Sequence, residues 1–242
     1  AGFNSVGIWC DLDTWTDELT DKVSAALRDT GITALDIEVV WFKPGEALDS
    51  HDSVVAIAKA IGAKNILCVS SETDINKTKQ RFKRMCELVE GSGIRVVLEF
   101  LAITEINTLG KALEVVRDVA HPAAGLLVDT LHLQRTGSSL ADFTALAENS
   151  PELLPYLQLC DADAELLDQS FDGVLDDALY LRKLLGEGEL PLQEVLQAVQ
   201  ANLPISLEIR ARALIDGYPK LQDRANAVFD STQKFINSLK VD

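Results

Sequence analysis

Short runs of apolar, mostly β-branched residues recur along the chain. They lie at Ser5–Trp9, Ala34–Val40, Asn65–Ser70, Arg95–Phe100, Gly125–Asp129, Tyr156–Cys160 and Ile205–Ile209. They are nearly continuous rather than alternating, so each predicts a strand buried on both faces. Up to the sixth run the spacing is about 30 residues, enough for one strand, one helix and two short loops. The intervals carry helical spacing at Leu19-Val23-Ala26-Leu27, Val54-Ile57-Ala58-Ile61, Phe82-Met85-Leu88-Val89, Leu109-Ala112-Leu113-Val116 and Leu192-Val195-Leu196-Val199. Gly31, Gly62 and Gly93 each stand between a helix and a strand, where a C-terminal cap is expected.

Strict alternation of strand and helix predicts an α/β fold, a parallel sheet with helices outside. An open doubly wound sheet and a closed (β/α)8 TIM barrel both satisfy it. The dinucleotide-binding fingerprint is missing. The glycine-dense segment Gly186-Glu187-Gly188 follows a helix and carries a carboxylate that would repel pyrophosphate, so the barrel is preferred. Seven strands are seen, not eight. The opening Ala1-Gly2-Phe3 repeats the helix-end pattern of Thr30-Gly31-Ile32 and Ser92-Gly93-Ile94. The first strand and helix of an eight-stranded barrel are therefore read as missing from this chain, a true seven-stranded barrel being the alternative. Residues 1–242 are read as one domain.

Composition narrows the partners. The 242 residues are 47% hydrophobic and 25% charged, ordinary for a globular protein. Apolar runs are too short for a membrane span. Asp11, Asp13, Asp17 and Glu18 interrupt any secretion signal in the first twenty residues. Twenty-two basic residues against 38 acidic leave a net charge of -16, which repels phosphate backbones, so no nucleic acid is expected. Cys10, Cys68, Cys86 and Cys160 form no CxxC pair and read as free thiols in a reducing, cytoplasmic setting.

Candidate chemistry comes from polar residues where a buried strand should stay apolar. Barrel active sites lie at the C-terminal strand ends. Four consecutive runs carry a polar residue there: Glu99 in Val-Val-Leu-Glu, Asp129 in Leu-Leu-Val-Asp, Gln158 in Tyr-Leu-Gln-Leu and Glu208 in Ile-Ser-Leu-Glu. Each alone could cap the next helix. Together they point three carboxylates and an amide into one space, and three close carboxylates need a compensating cation. An all-oxygen set favours Mg2+ or Mn2+ over zinc. His132 follows Asp129 by three residues and is a candidate ligand, substrate donor or proton shuttle. His51 and His121 read as surface caps.

Leu98-Glu99-Phe100, Val128-Asp129-Thr130-Leu131-His132, Leu157-Gln158-Leu159 and Ser206-Leu207-Glu208, in that order, resemble the xylose isomerase-like TIM barrels, the sugar phosphate isomerase/epimerase superfamily. Leu185-Gly186-Glu187-Gly188-Glu189-Leu190 resembles a loop of the same family. The resemblance covers the whole chain and implies a metal site of Glu99, Asp129, Gln158 and Glu208. Many relatives have histidine at the third position. The glutamine version is similar to 3-dehydroshikimate dehydratases and hydroxypyruvate isomerases. Another departure is the strand end Asp36-Ile37-Glu38-Val39-Val40-Trp41, where many relatives carry a histidine; the polar residue within this apolar strand is Glu38. It reads either as a substrate contact or as a salt-bridged structural carboxylate.

The function this implies is a divalent-metal-dependent isomerase or epimerase of a small polyhydroxylated carbonyl compound. Glu99 and Glu208 would serve as acid and base, with His132 as a further catalytic candidate. The same carbanion could expel a β-hydroxyl, which makes a metal-dependent dehydratase the alternative. Arg210, then Arg182, Lys43 and Glu38, are the candidate substrate-binding groups. The long acidic interval Asp161–Asp177 is expected to contribute little core and to cover the site. Abasic-site nucleases share the superfamily, but they need a histidine-rich zinc centre and a basic groove, which three histidines and this charge do not supply. A non-catalytic barrel is the third reading. Partners expected are the small substrate and, for assembly, a second copy in a homodimer; no membrane is expected.

Overall fold

The computed structural model describes residues 1–239 and carries the expected alternation. The strands are β1 (Ser5–Trp9), β2 (Thr33–Phe42), β3 (Asn65–Ser70), β4 (Arg95–Glu99), β5 (Ala124–Asp129), β6 (Leu157–Leu159) and β7 (Ile205–Leu207). All neighbouring pairs are parallel. The helices are α1 (Asp17–Thr30), α2 (Asp52–Ile61), α3 (Ile75–Leu88), α4 (Leu109–Val119), α5 (Thr130–Arg135), α6 (Leu140–Asn149), α7 (Phe171–Tyr180), α8 (Leu192–Ala198), α9 (Arg212–Gly217) and α10 (Leu221–Ser238). No helix among the described residues is long and apolar enough to cross a membrane.

The chain divides into two compact units. One comprises residues 4–127 and 152–155. The other comprises residues 1–3, 128–151 and the chain from Tyr156 onward, so β5 begins in the first and ends in the second.

In the first unit β1 to β5 pair in chain order, with Glu99 opposite Leu127. Ile37, Ile66, Cys68, Val96, Leu98 and Leu126 are fully buried along these strands. The predicted helical stripes supply the outer layer of the core: Val54, Ala58 and Ile61 of α2, Phe82 and Met85 of α3, and Ala112 and Val116 of α4. Gly31 and Gly62 cap α1 and α2 in the left-handed region. Gly93 departs from expectation. α3 is capped at Val89, and the φ of 78° at Gly93 belongs to the turn leading into β4.

Burial was expected along every strand, and the two end strands depart from it. No residue of β1 or β7 is buried, and Trp9 is 56% exposed. Among the described residues β1 pairs only with β2, and β7 only with β6. A strand with one neighbour leaves one edge, and the side chains along it, uncovered. The apolar stripe of α1 is likewise only part-covered, with no buried residue.

In the second unit the ladder runs Val128–Leu157–Ile205 and Asp129–Gln158–Ser206. Past its end, the Thr130 hydroxyl donates to the Cys160 carbonyl at 2.8 Å and accepts from the Cys160 N–H at 3.0 Å. The acidic interval after β6 is not the coreless loop expected. It contains α7, and both Asp161 and Asp177 are buried, because each carboxylate finds enough donors to replace water.

Candidate functional site

Asp129 ends β5 and caps α5. Its Oδ1 accepts the Leu131 N–H at 2.7 Å and the His132 N–H at 3.4 Å, and its Oδ2 accepts an Arg182 N–H at 2.7 Å. Gln158 stands beside it in the ladder, with Ser206 on the other side. The Gln158 Oε1 is buried and accepts no hydrogen bond. Glu208 follows β7 directly, its N–H donating to the Leu159 carbonyl at 3.1 Å. It lies two residues past Ser206, on the same side of the sheet. Its carboxylate meets Arg182 Nη2 at 3.1 Å and Arg210 Nε at 2.8 Å. Three of the four strand-end residues predicted from sequence thus fall within the second unit.

Glu99, the fourth, is buried at the end of β4 in the first unit, opposite Leu127, which precedes Asp129 by two residues. Glu38 and Lys43 also belong to that unit. Glu38 is half-buried within β2. The Lys43 N–H donates to Glu46 at 2.9 Å, its carbonyl accepts from Arg81 at 2.7 Å, and its ammonium lies 5.8 Å from the centre of the Trp41 ring.

Arg182 is the organising cation of the second unit. Only 2% of its side chain is exposed. Nε donates to the Ala178 carbonyl of α7 at 2.8 Å, Nη1 reaches Asp129 and the Cys160 sulfur, and Nη2 reaches Glu208. Burial opposes its charge, but Asp129 and Glu208 outweigh burial and hold its pKa well above the ordinary value. Burial also works against an ionised Asp129; the Arg182 charge, with hydrogen bonds from Arg182 and the Leu131 N–H, reverses this and keeps the carboxyl below its usual range. His132 is buried in the first turn of α5. Burial dominates there over attraction to Asp129, and its pKa falls to about 4, so the imidazole is neutral at neutral pH. Burial pushes the Cys160 thiol up to about 12. Arg210, ranked above Arg182 from sequence, is the more superficial of the two, with 34% of its side chain exposed.

Sequence reasoning missed the support of Arg182. Asp161 is buried and exchanges both backbone hydrogen bonds with Lys183, at 3.0 and 2.7 Å. Its carboxylate accepts the N–H groups of Ala162, Gly186, Gly188 and Leu190 at 2.9 to 3.1 Å. Four donors around one carboxylate fix the turn that follows Arg182. Gly186 adopts φ 85°, and a Cβ at Gly188 would fall 2.3 Å from both the Ala162 carbonyl oxygen and Asp161 Oδ1. The signal was present: Gly186-Glu187-Gly188 is an anion-accepting turn whose anion is the chain's own aspartate.

Residues 1–238 match the family described as the xylose isomerase-like TIM barrel. The chain belongs to this family. Its fold is the α/β TIM barrel, of which seven strands lie among the described residues. Over 107 residues it is 28% identical to the inosose isomerase of Halalkalibacterium halodurans, covering 40% of this chain and 38% of that protein. Over 139 residues it is 30% identical to the 3-dehydroshikimate dehydratase of Pseudomonas putida, covering 56% of this chain and 20% of that one. The matches thus span well under half the length of these curated relatives. A solved structure of the IOLI protein with a bound zinc atom superposes with a TM-score of 0.77 at 18% identity, covering 100% of this chain and 91% of the other. That likeness is one of fold.

Proposed function

We propose that the chain is a divalent-metal-dependent isomerase or epimerase acting on a small polyhydroxylated carbonyl compound. The observation that carries this is Gln158, whose buried Oε1 accepts no hydrogen bond beside the Asp129 carboxylate. A buried acceptor left without a donor costs about 1–3 kcal/mol. A divalent cation satisfies that amide oxygen and the neighbouring carboxylates together. Asp129, Gln158 and Glu208 would supply an all-oxygen donor set that suits Mn2+ or Mg2+, and Glu99 keeps the ligand role assigned to it from sequence. The metal, when bound, supplies polarisation of the substrate carbonyl and a counter-charge for the developing enediolate.

The remaining work falls to the protein. Glu208, paired with Arg182 and Arg210, takes the proton next to the carbonyl. Glu99 keeps its role as the partner that returns a proton. Arg210, the more exposed arginine, holds a substrate oxygen, and Glu38 and Lys43 keep the substrate-binding roles assigned to them from sequence. The neutral imidazole of His132 is too weakly basic to lead. Four free, buried cysteines suit a reducing compartment, and we place the enzyme in the cytoplasm.

The second reading is a dehydratase, in which the same proton removal is followed by loss of a β-hydroxyl. Gln158 at the third ligand position and the 139-residue likeness to a 3-dehydroshikimate dehydratase favour it. The test is incubation with Mn2+ in D2O with ketoses, inososes and 3-dehydroshikimate, followed by NMR. Deuterium at the carbon beside the carbonyl supports proton removal, and an isomer or an alkene as product separates the two readings. No exchange with any substrate, in a protein that also takes up no metal, defeats both.

A further inference from the structure

Arg182 sits between two carboxylates that the proposed reading assigns to a divalent ion. Its two terminal nitrogens lie 2.7 Å from Asp129 Oδ2 and 3.1 Å from Glu208 Oε2, and its Nε is tied to the Ala178 carbonyl. The guanidinium is therefore aligned by α7 rather than left to wander. Asp129 is wholly buried, and a buried carboxylate without a counter-charge is not tolerated. Something must neutralise it whether or not a metal is present.

We propose that Arg182 is a resident counter-cation of the metal site, one that keeps Asp129 and Glu208 together when no ion is bound and weakens divalent-ion binding when one arrives. This rests on the metal reading above. The reason for weakening is elementary. A fixed positive charge bonded to two of the ligands repels a divalent ion at those same ligands, and burial reduces the screening between them. It also draws on the same oxygen lone pairs. Arg182 thus makes the site stable when empty at the expense of affinity, so ion occupancy follows the free ion concentration instead of being locked in.

The test uses the full chain stripped with EDTA, in wild-type, Arg182→Gln and Arg182→Lys forms. Mn2+ is titrated while the resonance of the free ion is followed by electron paramagnetic resonance, and melting is recorded with and without Mn2+. Arg182→Gln should bind Mn2+ at least ~10-fold more tightly than wild type. Stripped of metal it should melt several degrees lower, roughly what loss of a buried partner costs, and Mn2+ should restore more of its melting temperature than it adds to wild type. Arg182→Lys, whose single ammonium cannot span both carboxylates, should tighten binding by a smaller factor. If Arg182→Gln folds only when Mn2+ is added, that also supports the proposal. If wild type binds Mn2+ and neither variant binds it more tightly, the proposal fails while the metal reading stands. If no form binds Mn2+, the metal reading fails and the proposal goes with it.

Discussion

Arg135 of α5 and Asp177 of α7 close an ion pair at 2.7 Å, with only 6% of either side chain exposed. Arg135 also donates to the Ala164 and Asp163 carbonyls at 3.1 and 2.8 Å. This pair fastens the helix that Asp129 caps to the helix whose Ala178 carbonyl holds Arg182. Asp177→Ala strands a buried guanidinium and should cost about 3–5 kcal/mol. Replacing both partners with apolar residues should cost less, since neither charge is then left alone. Urea unfolding of the two single variants and the double variant measures the difference.

Gly188 admits no side chain without moving the Ala162 carbonyl or the Asp161 carboxylate. Gly188→Ala should therefore lose about 1–3 kcal/mol, as overpacked sites do. Because the turn follows Arg182, Mn2+ affinity should change as well. Gly217→Ala, with nothing within 4 Å of the new methyl group, is the control and should leave metal affinity unaltered. Thermal melting and Mn2+ titration read both.

Glu208→Gln and Glu99→Gln keep an oxygen donor for the metal but remove the group that takes or returns the proton. Both should retain Mn2+ and lose turnover by at least ~10²-fold, the low end for general acid–base catalysis. Asp129→Ala should behave differently, losing metal affinity first. Metal content and substrate C–H exchange in D2O, measured on the same samples, separate the classes. If Glu208→Gln exchanges at the wild-type rate while His132→Ala does not, the base is His132.

His132 gives stability a pH dependence of defined sign. In the unfolded chain a histidine takes up a proton below about pH 6.5, whereas folded His132 does so only near pH 4. The unfolded state therefore binds the extra proton across this window, and stability falls as pH drops through it, by about 3 kcal/mol for a shift of this size. The contribution of Asp129, held below the usual carboxylate range, is lost only at lower pH still. His132→Gln should flatten the slope between pH 6.5 and 4. Denaturant unfolding at half-unit pH steps checks it against wild type.

The strands were legible because burial on both faces leaves an uninterrupted apolar run, and Glu99, Asp129, Gln158 and Glu208 stood out against that background. The depth of Arg182 was not legible. An arginine in Leu181-Arg182-Lys183 reads as a surface charge, and only tertiary placement between two carboxylates makes burial affordable. Asp161 and Asp177 were hidden for the same reason. Isolated from their partners Gly186, Gly188 and Arg135, they look like any acidic loop. Trp9 illustrates the opposite error, since an apolar run announces a strand without saying whether both its edges are paired.

The Asp129 carboxylate has a second consequence. One oxygen closes the first turn of α5 at the Leu131 amide while the other faces Arg182. Any cation that draws electron density from the outer oxygen weakens the inner one as an acceptor. The Leu131 amide proton is thus a built-in gauge. Its chemical shift and its exchange with solvent should register which cation the carboxylate holds, with no substrate added and no label beyond 15N.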